Sequence, residues 1–332
     1  MNSKRWITLF ALLSIIAFVI SGCGNQESKD TIEDKKVVRV GYQKGNTVNV
    51  LKARGTLEKA LSAKGYKVEW TPFTMGTTLM EALNAGSIDF GHASDGNSVF
   101  AQATGKPIVY TAAESPYPKG VAIVVPENSP IHSVKDLKGK KVGISKGGNM
   151  QYLLVRALKR EGMSFADVKP IYFKDASEAR ALYDSKSVDA LGIWDPYLAV
   201  LEKDEDIRTI VNGENGLTEN RTYYFASPTF AEKHSDLLKI VLDELNKSDQ
   251  WSNEHPTEVA QILSKELGID QSALETATKR RQYGVQKMIP STVTVQQDLA
   301  DTFYELKLIP KKVNINNGVN PNPNWLPESI NQ

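Results

Sequence analysis

Cysteine is almost absent: Cys23 is the only one in 332 residues. Neither a disulfide framework nor a Cys-x-x-Cys metal site can form, so the body must be held by core burial alone. Histidine is also scarce, with four in the chain. His92 and His132 stand isolated, and His234 and His255 sit in polar helical stretches beside Lys233, Ser235, Glu254 and Pro256, which reads as solvated surface. No His-Glu-x-x-His and no Gly-x-x-x-x-Gly-Lys-Ser/Thr occurs, so the zinc-protease and P-loop patterns lack their minimum residues. Net charge is nearly nil, with 40 basic against 39 acidic side chains. Nothing in that balance attracts nucleic acid. No cofactor and no metal is expected.

What is there begins at the N-terminus. Lys4 and Arg5 precede an uncharged run from Trp6 to Ile20, followed by Ser21, Gly22 and Cys23. The run falls short of the about 20 residues that span a bilayer, and a positive segment before an apolar one makes a secretory signal. Small residues immediately before Cys23 match the lipobox of bacterial lipoproteins, whose cysteine sulfur receives diacylglycerol. Residues 1–22 are therefore expected to be a signal peptide, Cys23 an acylated (palmitate-type) anchor, and the protein a lipid-anchored resident of the extracytoplasmic face of the cell membrane. Removing Lys4 and Arg5 leaves 38 basic against 39 acidic residues. Residues 23–36 carry the anchor and a polar stretch without hydrophobic period, as a tether would. About 310 residues remain, enough for a sizeable core and commonly divided in two.

In the body, strand and helix patterns alternate. Strands are expected at Val37–Gly41, Val68–Trp70 and Ile88–Phe90, with helices at Val48–Leu61 and Thr77–Asn84. The same grammar restarts at Val121–Val125, with a helical turn at Val134–Leu137, strands at Lys141–Ile144, Ile171–Phe173 and Ala190–Ile193, and helices at Asn149–Glu161 and Ala176–Ser185. The fold class is α/β, two units in succession implying two lobes, each a sheet flanked by helices. From Pro228 to Leu308 apolar stripes predict mainly helix, and the Asn- and Pro-rich tail after Lys312 is expected to run irregularly over the surface. Lys203-Asp204-Glu205-Asp206 reads as a solvated turn.

Several strand-to-helix turns offer unpaired N–H groups. In Ser145-Lys146-Gly147-Gly148-Asn149, paired glycines let backbone approach a ligand while the next helix begins, a geometry that favours an anion. Pro72 to Thr78 and Ala93 to Asn97 offer similar donors from the first unit. Each alone is what an ordinary helix start provides; together they belong to opposite lobes. Gly143-Ile144-Ser145-Lys146-Gly147 also satisfies the G-x-S-x-G nucleophile pattern, which raises a lipid-anchored hydrolase using Ser145. Such an enzyme needs a downstream acid and histidine, and only His234 and His255 follow. Trp194, in Ile193-Trp194-Asp195-Pro196-Tyr197, fits either a core position or the wall of a ligand site.

Gly41-Tyr42-Gln43-Lys44-Gly45, Glu81 to Gly91, Leu137-Lys138-Gly139-Lys140-Lys141-Val142, Trp194-Asp195-Pro196-Tyr197 and Leu308 to Val313 resemble, in order, the aliphatic sulfonate-binding proteins of ABC importers. The likeness covers almost all of the chain after the signal. It implies a periplasmic-binding-protein fold with its ligand in the cleft, lobe I from 37–120 and 222–332, lobe II from 121–221, and crossings near 120 and 222. It implies a monomer without catalysis that delivers aliphatic sulfonates to an ABC permease as a sulfur source. Carried over position by position, Gln43, Thr77, Thr78, Ser94 and Asp95 would meet the ligand from the first lobe. Gly147, Gly148 and Asn149 would supply donors from the second, and Trp194 a wall. Ser94 and Gly148-Asn149 depart from the family pattern, where Gly and Ser-Ser are frequent. The same fold binding taurine, nitrate or a pyrimidine precursor is the alternative.

Overall fold

The structure is a computed structural model that describes residues 36–105 and 107–330. The signal peptide, Cys23 and all of the tether but Lys36 lie outside these residues. β1 (Val37–Gln43) is followed by α1 (Thr47–Arg54) and α2 (Thr56–Ser62). Where the spacing predicts one helix over Val48–Leu61, the chain breaks at Gly55: its left-handed φ of 63° ends α1 and starts α2. β2 (Lys67–Phe73) pairs in parallel with β1 along its whole length, and its place at the sheet edge tolerates Pro72. α3 (Gly76–Asn84), β3 (Phe90–Ser94), α4 (Asp95–Ala103) and β4 (Val109–Glu114) complete this stretch. β3 starts two residues later than its pattern suggests, since Asp89 turns its carboxylate back onto the backbone N–H and guanidinium of Arg39.

β5 (Val121–Pro126), β6 (Lys141–Ser145), α5 (Asn149–Arg160), β7 (Lys169–Phe173), α6 (Ala176–Asp184), β8 (Ala190–Trp194), α7 (Tyr197–Asp204) and β9 (Ile207–Asn212) come next. β10 (Thr222–Ala226) then precedes α8 (Pro228–Lys233), α9 (Ser235–Glu254), α10 (Pro256–Leu267), α11 (Gln271–Lys279), β11 (Val285–Gln286) and α12 (Pro290–Glu305). The strands form two sheets, ordered β11-β4-β10-β3-β1-β2 and β7-β6-β8-β5-β9. Each strand entered after a passage between sheets is antiparallel and inserts between two others, β5 between β8 and β9, β10 between β3 and β4. The two connecting segments run side by side. Tyr117 N–H donates to the Glu219 carbonyl at 2.8 Å, Gly213 N–H to that of Pro118 at 3.0 Å, and Asn220 Nδ2 to that of Tyr117 at 2.8 Å.

The second sheet is sealed by Val121–Val125 against Leu153, Leu154 and Leu158 of α5. The first buries Leu79, Met80, Val99 and Phe303 around Tyr110, whose ring lies 5.5 Å from that of Tyr223 and 4.7 Å from that of Phe225. Three expectations need correction. The tail is irregular but anchored, since Ile315, Trp325 and Ile330 are buried and Trp325 Nε1 donates to the Thr111 carbonyl at 3.2 Å. His234 is buried against Phe230 rather than solvated. Lys203 and Asp204 are the last turn of α7, where Lys203 pairs with Asp270 at 2.6 Å and Arg180 gathers Asp204 and Glu205.

A buried charge cluster joins β4 to the later helices. Glu114 accepts Tyr224 Oη–H and the Gly284 N–H, and lies 3.9 Å from Arg281. Asp249 of α9 is also fully buried, and its Oδ2 has no hydrogen-bond partner among the described residues. Burial pushes both carboxyl groups up, Asp249 further because Glu114 adds its charge, while Arg281 opposes both shifts. Two carboxyl groups facing one guanidinium thus each bind a proton more readily than they would in the unfolded chain. A carboxyl whose folded pKa lies above its unfolded one makes folding take up a proton, so stability falls as pH rises from the ordinary carboxyl range toward the folded value. Asp249→Asn removes that proton requirement. Denaturant titrations from pH 5 to 8 are expected to give a flatter stability profile than the parent's, by up to about 1.4 kcal/mol per pH unit. Parallel profiles would show that Asp249 is not the proton carrier.

Candidate functional site

The turns nominated from sequence all lie at strand C-terminal ends. After β1, the segment Gln43-Lys44-Gly45 is pinned from beneath: Gln43 N–H donates to His92 Nε2 and Gly45 N–H to Asn49 Oδ1, both at 3.1 Å. His92, fully buried in β3, is pushed down to about pKa 3 by burial and by the Arg281 charge. Its imidazole is therefore neutral, and accepting at Nε2 places the proton on Nδ1. At the start of α3, a Cβ on Gly76 would lie 2.7 Å from Asn97 Nδ2, which sets the Thr77 turn against the first turn of α4. Thr77 is half-buried. Thr78 is exposed, and its hydroxyl donates to the Met75 carbonyl of its own helix start. Ser94 precedes α4 with its Oγ buried and without a partner among the described residues. Asp95 is buried, accepts the Gly96 N–H at 2.7 Å, and is pushed up to about pKa 7 by burial, with Glu219 adding to the shift.

In the second sheet, β6 ends at Ser145 and Gly147 takes a left-handed φ of 71°. Gly147 N–H donates to Gln151 Oε1 at 2.7 Å, so Gly147 contributes shape here rather than a free donor. Gly148 is the N-cap of α5, and a Cβ there would strike Ser145 Oγ at 2.3 Å. Asn149 Nδ2 donates to Asn220 Oδ1 at 2.5 Å, tying the helix start to one connecting segment. Trp194 ends β8 half-buried, its ring 6.2 Å from Phe173 and 5.5 Å from Tyr197. Phe173 faces Ser145 across the β6–β7 ladder, so this aromatic corner stands beside the glycine turn. Trp194 packs on the core with one part and leaves another exposed.

These two sets of turns meet. A Cβ on Gly96 would lie 2.4 Å from the Gly147 carbonyl oxygen and 3.1 Å from the Gly148 carbonyl carbon, so α4 and α5 touch end to end through bare backbone. Gly147 is itself roofed by the Phe100 ring, 2.2 Å from where its Cβ would be. On the Trp194 side, a Cβ on Gly45 would come within 3.8 Å of Pro196. Clasps flank this seam. Tyr152 Oη–H and Arg156 Nη1 of α5 both donate to Asp298 of α12, at 2.7 and 2.6 Å. Opposite, Arg280 pairs with Glu202 and lies 3.4 Å from Asp195, which also accepts the Tyr117 hydroxyl, and Ala199 packs on Ala273 and Ala277.

The arrangement lacks the parts of a serine hydrolase. Ser145 Oγ faces Gly148; His234 stacks beside Phe230; His255 Nδ1–H donates to the Trp251 carbonyl and the ring lies on its indole. Among the described residues no His, Cys, Asp and Glu group could hold a metal ion, and no helix is long and apolar enough to cross a membrane. Sequence reasoning missed Asn49, His92 and Gln151. A glycine four residues before an amide side chain, Gly45…Asn49 and Gly147…Gln151, was the available signal for two of them.

The profile of the NMT1/THI5-like family matches residues 62–259. A protein of Escherichia coli (strain K12) named for binding aliphatic sulfonates is 35% identical over 98% of this chain and 97% of its own. The crystal structure of the periplasmic aliphatic sulphonate binding protein SsuA from Escherichia coli superposes with a TM-score of 0.82 at 35% identity, over 88% of this chain and 94% of that one. The alkanesulfonate-binding protein SsuA from Xanthomonas axonopodis pv. citri, bound to MOPS, gives 0.79 at 34% identity, over 86% and 98%.

The Gly96 contact yields a direct test. Alanine suits the first turn of a helix better than glycine, so Gly96→Ala should fold with an unchanged thermal midpoint. Its methyl must nevertheless gain about 1 Å from a backbone that cannot yield, because close-packed contacts tolerate little overlap. Small-angle scattering is expected to show a larger radius of gyration than the parent's under the same conditions. An unchanged scattering profile would mean that the seam accommodates a methyl group.

Proposed function

The chain belongs to the NMT1/THI5-like family, and from that premise we propose that it captures aliphatic sulfonates outside the cytoplasm and delivers them to an ABC importer for sulfur acquisition. It is a substrate-binding protein and not an enzyme, and its fold is the two-lobed periplasmic-binding-protein fold of the SsuA structures. We take lobe I as 37–120 with 222–332 and lobe II as 121–221, hinged at the paired connecting segments.

The observation that carries the reading is the meeting of two helix N-termini from separate sheets beside an aromatic corner. Each N-terminus carries the positive end of a macrodipole; the first two N–H groups of α4 are taken by the Arg221 carbonyl and the Asp95 carboxylate, so the first-turn donors left for a ligand are mainly those of Asn149 and Met150 in α5. A sulfonate has one negative charge and three acceptor oxygens, which neutral donors can satisfy. Gln43, Thr77, Ser94 and the Asp95 turn would serve the head group from lobe I; Gly148 and Asn149 would do so from lobe II with their first-turn backbone. Trp194, Phe173 and Tyr197 would take the tail. Thr78 has its hydroxyl committed elsewhere, and we assign it a supporting place.

The lipid anchor at Cys23, following a cleaved signal peptide, is part of the same proposal. It is supported by the order of Lys4-Arg5, apolar run, small residues and cysteine. Cys23→Ala is expected to move the protein out of the membrane fraction or leave it unprocessed, because durable anchoring needs two or more acyl chains. A processed variant that still sediments with membranes would refute the anchor.

The functional reading is tested by thermal shift across linear alkanesulfonates of increasing length, with taurine, nitrate and sulfate alongside. Sulfonates should raise the midpoint most, and taurine or nitrate outranking them would transfer the protein to the alternative ligand class. Trp194→Ala should flatten the gain in affinity with chain length, since each buried methylene contributes about 0.8 kcal/mol, roughly fourfold in affinity. An equal loss for methanesulfonate and octanesulfonate would leave Trp194 as core only.

A further inference from the structure

We infer that Asn49 and Gln151 are a matched pair of positioning residues, one in each lobe, that fix the two ligand-facing turns and keep the adjoining helix donors free. The inference rests on the sulfonate-site reading above.

The two sites repeat one local device. In each, a glycine with left-handed φ precedes the N-cap, Gly45 at 83° and Gly147 at 71°. Its N–H is bonded by the carbonyl oxygen of the amide side chain at the third helical residue, Asn49 of α1 at 3.1 Å and Gln151 of α5 at 2.7 Å. In neither helix does the N-cap side chain, Asn46 or Gly148, accept a first-turn N–H. A conventional N-cap accepts the N–H of the second or third helical residue and so consumes a donor. Here the turn is fixed from the other direction, through the N–H preceding the cap. The N–H groups of the first two helical residues stay available to an anion, while that of the third bonds the N-cap carbonyl.

The chemistry of the two side chains argues against simple core filling. Both residues are fully buried. Asn49 Nδ2 has no hydrogen-bond partner among the described residues, and Gln151 Nε2 has only the neighbouring Tyr172 hydroxyl within reach. A buried N–H2 without a partner is a liability that an apolar side chain of the same size would remove. What the amide supplies in return is its carbonyl, aimed at a glycine N–H on the cleft. The neutrality of both acceptors matters as well: a carboxylate would bond the glycine N–H more strongly but set a negative charge at an anion site.

The test uses Gln151→Met and Asn49→Leu, near-isosteres without the acceptor, in the full chain, with 1-butanesulfonate as probe. Each is expected to weaken binding at least about tenfold, since turn donors displaced by even a fraction of an ångström lose their aim, while the ligand-free thermal midpoint stays level or rises. The amide proton of Gly147, or of Gly45, should shift upfield and exchange faster in the corresponding variant. Gln151→Glu keeps an acceptor and should preserve the Gly147 signal. Variants that bind within twofold of the parent, or whose glycine amides are unmoved, overturn the inference. So does an affinity loss that merely follows a lowered midpoint. If the parent itself ignores butanesulfonate and the other alkanesulfonates, the functional reading falls, and the glycine amide signals still decide whether these side chains fix the turns.

Discussion

Two helices from different sheets can approach end to end only if nothing but backbone lies between them, and the rest of this molecule is arranged around that requirement. Gly96 and Gly147 meet where any Cβ would overlap a carbonyl group or the Phe100 ring. Both partners present the positive end of a macrodipole, equivalent to roughly half an elementary charge each. Bringing them together is electrostatically uphill unless negative charge arrives between them. Asp95, at the first position of α4, supplies part of it, yet burial and Glu219 raise its pKa to about 7, so its charge is only partly available near neutrality. A bound monoanion would supply the remainder, which ties occupancy to contact between the sheets.

For occupancy to shift the arrangement, the contact must not be strongly self-sustaining. A ligand moves a two-state equilibrium only by its difference in affinity for the two states, and a few kcal/mol is the useful range. The flanking clasps fit that scale. Asp298 is half-exposed, as are Glu202 and Asp270, and pairs of that kind contribute about 0.2–1 kcal/mol each. The apolar part is local, with Ala199 and Val200 against Ala273, Ala277 and Ile269 on one side and Tyr152 against Phe303 on the other. The hinge is built more firmly. Tyr117 and Asn220 lock the connecting segments to each other, and Asn149 joins the second-lobe helix start to Asn220. The start of α5 is therefore tied directly to the paired connecting segments.

Much of this was legible in the residues. The alternation of strand and helix, the restart at Val121 and the glycine turn at 147–148 follow from periodicity and from what only glycine can do. Gly55 is visible as a glycine, but apolar residues at helical spacing run on across it, so periodicity gives no sign of the left-handed stop. β4 and β10 lack alternation because they are buried on both faces, and Thr222-Tyr223-Tyr224-Phe225-Ala226 is aromatic on both; β9, at the sheet edge, lacks it because none of its residues is buried. His234 looked solvated because its sequence neighbours are polar, whereas burial is decided by Phe230, one helical turn away. Asn49 and Gln151 were invisible for a different reason. An amide three residues into a helix is unremarkable until the glycine preceding the cap is known to point its N–H back at it.

The placement of formal charge constrains what the cleft can hold. The lysines within the two turns do not face each other across it: Lys44 Nζ donates to the Glu266 carbonyl and Lys146 is exposed. The strongest buried cation, Arg281, is spent on Glu114 and Asp249 beneath the first sheet and stacks over Tyr117 and Tyr283. His92, which touches the Gln43 turn, is held neutral by the same arginine and by burial. A ligand bound between the helix ends as proposed would be met mainly by dipoles and neutral donors. Such a site compensates a single charge spread over several oxygens well. A second charge on the same ligand would find Asp95 nearby, of the wrong sign, while the neighbouring Arg221 is already paired with Glu219. Under the proposed site, discrimination between a monoanionic sulfonate and a dianion such as sulfate would come from the absence of a free cation between the helix ends, and discrimination among sulfonates would fall to the aromatic corner at Trp194.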